Sequence, residues 1–523
     1  MKISVLDCTL RDGGYVNSFH FGASTIHRVA NKLCEANIDI IECGFLVSGK
    51  SDADFSLYGE IGQIPLPEKR KNCMFVAMIE HGGMSEDEVA PCGSESIDGI
   101  RLTFHNSEWE DTKKLAANLM EKGYKVFIQP IGTATYTDTE LLALISEVNK
   151  LSPFAFYIVD TLGAMYRNDL LRMFYLVDHN LNEDIAIGFH SHNNLQLSFA
   201  NCMTILDLKL TRHIILDSSV FGMGRGAGNL NTELITHYIN SHIGMSYDTV
   251  PILELIDDVI MKIYRRYPWG YSAPYYLAAI RGMHPNYAQF LLDKQSVPIP
   301  KIGNILDKLP AENRHLFNLA NIERLYFEEM RNATDDAMAL ETLRTLVKGR
   351  SILVIAPGNS VHSHSSEITN FIRINHPIII TVNFILDYLK SDIVFVGNIK
   401  RYAQLKLSSE LLLVTSNINA NADNVLTVDY ESLLSQGANS DSSGMMILRL
   451  LVKIGVKVVS LAGYDGFVGD SSYYAESLDN YLTPENIQRL NINTAMQMGE
   501  LRKQLKIEHI TPTLYDARKT NGY

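Results

Sequence analysis

The chain has 523 residues, more than one ordinary domain contains, and its composition, 46% hydrophobic and 20% charged, is typical of a globular protein. A formal net charge of -13 argues against nucleic-acid binding and against a membrane-surface role that depends on basic patches. The six cysteines show no CxxC spacing, the first residues have the pattern of a strand rather than of a signal peptide, and no apolar run reaches the roughly 18 residues of a membrane span. We therefore expect a cytoplasmic protein with reduced thiols.

Short apolar runs, rich in β-branched and aromatic residues, recur along the N-terminal part of the chain. Each run is too continuous for a strand with one exposed face, so we expect strands that are buried on both faces. Helical segments such as 23–37, 111–123 and 137–151 lie between them, and this alternation predicts parallel βα units. Eight such units predict a (β/α)8 TIM barrel over residues 1–245. The runs are residues 3–7, 38–45, 73–79, 99–104, 125–131, 155–160, 185–192 and 214–219.

Polar side chains stand at or just after the end of almost every one of these runs. Active sites of this barrel are built at the C-terminal ends of its strands, so the pattern predicts an active site there. The residues concerned are Asp7, Asp12, Glu42, His81, His105, Gln129, Asp160, His190, His192 and Asp217.

The motif GFHSHNN places His190 and His192 two residues apart, so both side chains lie on the same face of a strand. Together with a carboxylate from another strand, for which Asp12 is the candidate, two imidazoles form half of an octahedral site for a divalent metal. The alternative is a pair of strand-end histidines that bond to nearby loops.

A glycine-rich segment, FGMGRGAGNLNTE (221–233), follows the eighth strand and contains Gly224 and Arg225. In a TIM barrel this loop often binds an anionic group through backbone amides and the start of the next helix. A tight turn that needs small residues explains the same composition, and both interpretations stay open.

The C-terminal part divides into a helical stretch, residues 246–349, and a region of alternating strands and helices, residues 350–523. We predict a helical extension and connector, followed by a doubly wound parallel sheet of the Rossmann type. The turn APGNS (356–360) follows the first of these strands, although neither the GxGxxG nor the GxxxxGK[ST] fingerprint is present. The candidate nucleotide-binding residues are Gly358, Asn359, Ser360, Asn383 and Asp465.

Five motifs of the barrel resemble, in order, those of the DRE-TIM metallolyases, the HMG-CoA lyase-like family, and among these the 4-hydroxy-2-oxovalerate aldolases. The motifs are DCTLRDGG (7–14), IIECGF (40–45), VDTLGAM (159–165), GFHSHNN (188–194) and DSSVFGMGRGAGNLNTE (217–233). More loosely, VIAPGNS, ITVNF, DIVFVGN and SLAGYDGF resemble the Rossmann-like domains of sialyltransferase-like and 6-hydroxymethylpterin pyrophosphokinase-like proteins. This second resemblance implies a nucleotide or a nucleotide-sugar as a partner of the C-terminal domain.

The resemblance of the barrel implies a role for individual positions. Asp12, His190, His192 and Asn229 are implied as ligands of Mn2+, Mg2+ or Co2+. Arg11 is implied to stabilise an enolate oxygen and Glu42 to hold Arg11. Thr161 is implied to lie near the substrate carboxylate. Gly224 and Arg225 are candidate substrate-binding residues because they lie in the glycine-rich loop. Tyr287, from the helical extension, is implied as a further catalytic residue, and the resemblance also implies a homo-oligomer.

One position departs from the aldolase pattern. The aldolases carry a catalytic histidine three residues after the metal-binding aspartate, and this chain has Tyr15 there. A phenol with a pKa near 10 is a poor base at pH 7 unless a nearby cation lowers that pKa. His20 as the base, Tyr15 acting within a water chain, and a different acceptor substrate are the alternatives.

These patterns together predict a metal-dependent carbon–carbon lyase, an aldolase that forms or cleaves a 2-oxo-4-hydroxy acid through a pyruvate enolate. The aldehyde partner is open, and a sugar derivative is one candidate. Two alternatives remain, a Claisen-type acyl-CoA synthase on the same barrel and a silent barrel that serves as a scaffold for a C-terminal transferase-like domain.

Overall fold

A computed structural model of the chain describes residues 2–67, 73–294, 297–330, 334–405, 410–421, 424–435, 442–468 and 484–515. The chain divides into two compact units. The first comprises Met1–Gln289 and Pro310–Phe317, and the second comprises Phe290–Leu309 and Asn318–Tyr523. Among the described residues, no helix combines the length and the apolar character needed to cross a bilayer.

The first unit contains a closed barrel of eight parallel strands with one short additional strand. The nine strands are β1 (Lys2–Asp7), β2 (Ile40–Leu46), β3 (Leu57–Tyr58), β4 (Met74–Glu80), β5 (Gly99–Phe104), β6 (Lys125–Pro130), β7 (Ala155–Asp160), β8 (Ala186–Ser191) and β9 (His213–Ser218). Strand β1 pairs with both β2 and β9, which closes the sheet, and β3 pairs beside β2. The predicted TIM barrel is confirmed, and each of its eight predicted strands is observed.

The barrel strands are buried on both faces, as their continuous apolar runs predicted. Leu6, Ile40 and Tyr157 belong to a cluster inside the barrel, whereas Val5 and Ile41, their chain neighbours, belong to the larger cluster that packs under the helices. Successive residues of a strand point to opposite faces, so a strand between two apolar layers needs apolar residues throughout. Polar residues are therefore confined to the strand ends and to a few buried interior positions.

Amphipathic helices cover the outside of the barrel. In α1 the buried residues Ile26, Val29, Ala30 and Leu33 recur every three or four positions, which places them on one face. The six helices are α1 (Ala23–Glu35), α2 (Trp109–Glu121), α3 (Asp138–Leu151), α4 (Arg167–Asn180), α5 (Ser198–Asp207) and α6 (Thr232–Ile243). Short 3-10 turns lie at 13–16, 61–63, 86–88, 106–108, 133–135, 220–222, 311–313 and 431–433.

A bulge interrupts the pairing of β2 with β4 between Glu42 and Phe45. Gly44 lies in this bulge with a φ of +145°, and a Cβ atom at that position would lie 2.1 Å from the carbonyl oxygen of Ser56. The bulge therefore requires glycine. It allows Glu42 to stay fully buried in the barrel while Phe45, farther along the strand, lines the cavity described below.

Helices follow the barrel, so the predicted helical extension is confirmed. They are α7 (Val250–Leu255), α8 (Met261–Arg266), α9 (Ala273–Ala279), α10 (Pro285–Asp293), α11 (Ile299–Asp307), α12 (Leu319–Met330) and α13 (Ala337–Val347). A π-helical turn, Ile256–Ile260, joins α7 to α8. The first crossing of the chain between the two compact units falls within α10, and Pro310–Phe317 belong again to the first unit.

The second unit contains a sheet of seven parallel strands in the order β14-β13-β12-β11-β10-β15-β16. These strands are β10 (Ile352–Ile355), β11 (Ile378–Val382), β12 (Ile393–Val396), β13 (Leu411–Thr415), β14 (Val425–Val428), β15 (Val458–Ala462) and β16 (Lys506–His509). The helices are α14 (Ser360–Ser363), α15 (Ser365–Asn375), α16 (Ile399–Tyr402), α17 (Ser443–Lys453) and α18 (Pro484–Leu501). The predicted doubly wound sheet is confirmed.

The two edge strands, β14 and β16, were absent from the prediction. Residues of β16 alternate between exposed and half-buried positions, and β14 has one fully buried residue. Edge strands pack less closely than central ones, so their sequences lack the continuous apolar run that revealed the others. Strand β10 lies between β11 and β15, which places the loops after β10 and β15 at the switch point of the sheet.

Candidate active site

A cavity of about 270 Å³ lies at the C-terminal ends of the barrel strands. Aromatic and apolar side chains, among them Phe45, Leu316 and Phe317, contribute to its wall. The ionisable and polar side chains of the wall are Arg11, Asp12, Tyr15, Glu80, Thr103, His105, Gln129, Thr161, His190, His192, Arg225, His284 and His315. Most of the barrel strands contribute to this list, so the cavity has the location expected for an active site.

Asp12, His190 and His192 converge in the wall of this cavity. One ligand atom from each lies within 4.8 Å of the others, with Asp12 Oδ1 at 4.0 Å from His190 Nε2 and Asp12 Oδ2 at 3.9 Å from His192 Nδ1. All three residues are buried, and His192 Nδ1 has no hydrogen-bond partner among the described residues. One carboxylate and two imidazoles are a donor set that suits a divalent metal, so this group could bind one.

A buried carboxylate orients His190. Asp217 Oδ2 lies 2.9 Å from His190 Nδ1, so the Nδ1 proton points to Asp217 and the Nε2 lone pair faces Asp12. Arg101 bonds to the same carboxylate, and a second bond of 2.8 Å joins Arg101 Nη1 to Glu42. Burial opposes ionisation of Asp217, but Arg101 and His190 hold the pKa of that carboxyl below its ordinary value.

Arg11 is held by two carboxylates and keeps one nitrogen without a partner. Its Nε donates to Glu42 at 2.8 Å and its Nη1 to Asp12 at 2.7 Å. Its Nη2 is buried and has no hydrogen-bond partner among the described residues. Despite burial, Glu42 and Asp12 raise the pKa of Arg11, while Arg11 and the two histidines hold the pKa of Asp12 below its ordinary value. Arg11 and Asp12 are therefore both charged at neutral pH.

The glycine-rich loop packs directly on this group. Asn229 Nδ2 donates to Asp12 Oδ2 at 2.8 Å, and Asn229 Oδ1 is buried without a partner among the described residues. A Cβ atom at Gly224 would lie 2.4 Å from Asn229 Nδ2 and 2.8 Å from Asp12 Oδ2, so only glycine leaves room there. The loop composition therefore serves close approach to the candidate metal group as well as the turn.

Thr161 and Arg225, predicted to bind substrate, both line the cavity. Thr161 Oγ1 accepts a hydrogen bond of 2.9 Å from the amide of Gly132, which leaves the hydroxyl proton available. The guanidinium of Arg225 lies 5.3 Å from the ring centroid of Tyr15, and its Nε is buried without a partner among the described residues.

The candidates for the acid/base role occupy different places. Tyr15 lines the cavity, and 41% of its surface is exposed. The protein surrounding the rest of the side chain raises the pKa of its phenol above the ordinary value, while Arg225 opposes that rise. His20 packs against Phe55 at a ring distance of 4.8 Å and lines a separate outer groove. Tyr287 is fully buried, and its single hydroxyl proton is shared between the carbonyls of residues 313 and 316, at 2.7 and 2.8 Å. Neither His20 nor Tyr287 is part of the cavity wall.

Several residues of the site were not assigned a role from the sequence. Arg101 had a detectable signal, since a charge in the middle of the apolar run GIRLTF needs a buried partner. Asp217 was noted only as a strand-end residue. His284 and His315 come from the helical extension, and no local pattern indicates that their loops reach the cavity.

In the second unit, the predicted nucleotide-binding residues make hydrogen bonds within the protein, and Ser360 and Asp465 bond to each other. Ser360 donates its amide to Asp465 Oδ2 at 2.7 Å and its hydroxyl to Asp465 Oδ1, and the amide of Gly358 donates to the carbonyl of residue 463. Asn359 lies between them in the same turn. Asn383 Oδ1 accepts from the amide of residue 397 at 3.2 Å. A carboxylate of the chain thus occupies the amide that a phosphate would use, and the nucleotide site stays a prediction.

The barrel is similar in sequence to known proteins. Residues 106–259 match the family model described as HMGL-like. The oxaloacetate decarboxylase of Mycobacterium tuberculosis is 26% identical over 238 residues, which cover 44% of this chain and 68% of that protein. The 4-hydroxy-2-oxovalerate aldolase of Pseudoalteromonas translucida is 23% identical over 267 residues, which cover 50% of this chain and 77% of that protein. The solved HMG-CoA lyase of Brucella melitensis aligns with a TM-score of 0.39 at 14% identity, over 48% of this chain and 95% of that chain.

The HMGL-like match confirms the resemblance of the barrel to the HMG-CoA lyase-like family. The curated relatives named above are carbon–carbon lyases, which agrees with the predicted enzyme class. The matches with these relatives span about half of the chain. The resemblance of the C-terminal sheet, the domain limits, the cytoplasmic location and the homo-oligomer stay predictions.

Proposed function

We propose that the barrel is a divalent-metal-dependent aldolase that forms or cleaves the bond at C3 of a 2-oxo acid, with the enolate of pyruvate as the intermediate. One observation carries the proposal. The converging ligand atoms of Asp12, His190 and His192 and the unpartnered Nη2 of Arg11 belong to the wall of a single cavity. A cation site beside a fixed guanidinium suits chemistry in which negative charge develops on a keto oxygen.

The residues present fit a divalent metal. His192 Nδ1 and Asn229 Oδ1 are buried without partners among the described residues, and Gly224 leaves space beside Asp12. Asp12, His190 and His192 would hold the ion, with Asn229 next to them. When bound, a divalent ion supplies Lewis acidity that draws electrons from the keto group of a 2-oxo acid.

Arg11 is placed to act on the keto oxygen. Because Glu42 and Asp12 fix its guanidinium, the unpartnered Nη2 donates to the oxygen without reorganisation as its negative charge grows. Thr161 binds the carboxylate of the 2-oxo acid, since its oxygen already accepts from the amide of residue 132 and its proton is free to be donated.

Tyr15 is the proton donor to the aldehyde oxygen of the acceptor. Its raised pKa keeps the phenol protonated at neutral pH, so Tyr15 donates its proton to the aldehyde oxygen when the carbon–carbon bond forms. The proton lost from the pyruvate methyl group passes to water, and water returns a proton to the phenolate of Tyr15, so protons balance over the cycle. His20, the histidine closest to Tyr15 in sequence, lines a separate groove, which supports Tyr15 over His20 in this role.

Exchange of the pyruvate methyl protons in D2O, followed by NMR with Mn2+, tests enolate formation. We expect Asp12→Asn to slow the exchange by more than about 100-fold, because a metal ligand is lost. Asp7→Asn is the matched control, since Asp7 is a buried carboxylate of the same strand end that bonds to Thr9 and Thr232 rather than lining the cavity. Equal exchange in the Asp12 variant, or none in folded protein with Mn2+, Mg2+ or Co2+, would contradict the proposal.

Decarboxylation of a 2-oxo diacid is a second candidate reaction. It is favoured because this chain has Tyr15 where the aldolases have a catalytic histidine. Loss of CO2 gives the same enolate and leaves no alcohol proton to remove, so it does not need the histidine that the aldolases carry. The oxaloacetate decarboxylase among the relatives agrees with this candidate. Comparing the release of pyruvate from oxaloacetate and from a 4-hydroxy-2-oxo acid under identical conditions discriminates the two, since a decarboxylase consumes only the first.

A further inference from the structure

Arg225 is a guanidinium in the cavity wall for which the described residues provide no hydrogen-bond or ion-pair partner. Its Nε is buried, and its one described ring contact is with Tyr15. By contrast, Arg11, Arg101 and Arg212, the buried arginines of the described barrel, each pair with a carboxylate. A partly desolvated cation without an internal partner indicates that the ligand supplies the anion.

The position of Arg225 favours the acceptor half of the substrate. Arg225 follows β9 and Thr161 follows β7, so β8, at whose C-terminal end His190 and His192 lie, is between them on the barrel rim. A 2-oxo acid whose carboxylate lies at Thr161 has its own anion satisfied on that side. Arg225 lies instead beside Tyr15, which is proposed to meet the acceptor oxygen.

His284 adds a second donor near Arg225. The amide of residue 286 donates to His284 Nδ1 at 3.2 Å, so the neutral ring carries its proton on Nε2. Burial lowers the pKa of His284 to about 3, with Arg225 and His105 contributing, which keeps the ring neutral at pH 7. His284 therefore offers the cavity a hydrogen-bond donor. Besides Asp12, Glu80 at the end of β4 is the acidic side chain of the described wall.

We propose that the acceptor aldehyde carries an anionic group, a carboxylate or a phosphate, which Arg225 and His284 bind. This inference rests on the proposed aldolase function and names its substrate class. The cavity of about 270 Å³ is slightly smaller than the range of about 300–1,000 Å³ for ligand pockets, so the acceptor is short. A neutral acceptor would leave the partly buried charge of Arg225 without a hydrogen-bonded anion, which disfavours a neutral acceptor.

Matched pairs of aldehydes test the proposal, with Mn2+ and pyruvate present. Succinic semialdehyde is compared with pentanal for a carboxylate, and glyceraldehyde 3-phosphate with glyceraldehyde for a phosphate. We expect kcat/KM to favour one charged acceptor over its neutral counterpart by at least about tenfold, and the two pairs show which anion is used. Arg225→Gln should bring this ratio close to one, Arg225→Lys should preserve part of it, and His284→Gln should reduce it less.

Arg172→Gln is the control for net charge, since Arg172 is an exposed residue of α4 that pairs with Asp138. A preference for neutral acceptors, or a ratio that Arg225→Gln leaves unchanged, would overturn the inference. The inference would also be overturned if Arg225→Gln reduced methyl exchange with pyruvate alone by as much as it reduced kcat/KM for the charged acceptor. Arg225 would then bind the pyruvate carboxylate. Absence of exchange in the unaltered protein would instead refute the proposed function itself.

Discussion

The barrel and the C-terminal sheet both place polar side chains at the C-terminal ends of parallel strands, but they treat those side chains differently. In the barrel, Arg11 Nη2 and His192 Nδ1 are buried without partners among the described residues. At the switch point of the sheet, Ser360 bonds to both Asp465 and Thr511. A strand-end polar cluster therefore indicates a ligand site when atoms are left over, and indicates a closed turn when none are.

Because the strand-end polar atoms have partners at the switch point but lack them in the barrel, strand-end polar residues predict a ligand site better in the barrel than in the C-terminal sheet. Ligands bind beyond the carboxyl ends of strands in both architectures. The position of a polar residue can be inferred from the strand pattern, whereas the fate of each polar atom depends on residues that are distant in sequence. In the described part of the sheet, Asn417 Nδ2 is a buried atom that lacks a partner, and it follows β13 rather than the switch point.

Arg11→Lys tests the importance of an unpartnered buried atom in the barrel, and we expect it to have the largest effect. Lysine retains the charge but lacks the planar fork that bonds to Glu42 and Asp12 while presenting a third nitrogen. We expect the rate of methyl exchange to fall by about 100- to 1,000-fold, as for other lost donors at a developing oxyanion. A rate within tenfold of the unaltered protein, with Arg172→Lys as the surface control, would show that the unpartnered nitrogen has no role.

Asp7 is a strand-end carboxylate of the barrel, and both of its oxygens accept hydrogen bonds. It therefore tests whether the contrast is between the two units or between polar atoms with and without a partner. Burial raises its pKa from 3.8 to about 6, with Thr232 and Thr9 opposing that rise. The folded state therefore binds this proton more tightly than the unfolded state. The associated stability is fully present below pH 3.8 and is lost as the pH rises to about 6.

From this shift we expect Asp7→Asn to gain about 3 kcal/mol in free energy of unfolding, relative to the unaltered protein, between about pH 4 and pH 7. Denaturant unfolding followed by circular dichroism at several pH values measures this difference and cancels the titration of the other carboxylates. A pH-independent difference would mean that folding does not raise the pKa of Asp7. Methyl exchange should be retained throughout.

Much of the fold and part of the site could be predicted from the sequence, for reasons that particular residues make clear. The period of two along a strand and the strand-end position were sufficient to bring Asp12, His190 and His192 together. His20 was not predictable in this way. Ser18 and Phe19 have positive φ values of 56° and 64°, which few non-glycine residues adopt, and the chain then pairs His20 with Phe55.

The contributions of Arg225 and His284 were also beyond local patterns. Arg225 was predicted from its loop, but its lack of a partner depends on every side chain around it. His284 reaches the cavity from the helical extension, at a sequence distance that no motif spans. Such features follow from tertiary packing, and they are the ones that separate an open site from a closed turn.

Asp217→Asn tests the comparison more finely, because it weakens the orientation of the candidate metal ligand His190 without removing that ligand. The variant weakens the charged bond that orients His190, so we expect the affinity for Mn2+ to fall by about 10- to 100-fold. Isothermal titration calorimetry measures this affinity directly. Asp178→Asn is the matched control, because Asp178 is a carboxylate of the barrel that pairs with Arg212 away from the cavity. Equal affinities in both variants would contradict an orienting role for Asp217.

Asp465→Asn probes the closed switch point and should have the smallest effect. One oxygen can still accept from the amide of Ser360, while the charge-assisted bond to the Ser360 hydroxyl is weakened, so we expect a loss of about 1 kcal/mol in stability. Thermal unfolding measures the loss, and methyl exchange should not change. If CMP, GTP or a UDP-sugar stabilises the unaltered protein and competes with the Asp465–Ser360 bond, the turn opens to a ligand. The contrast between the two units would then be one of ligand exchange rather than of permanent closure.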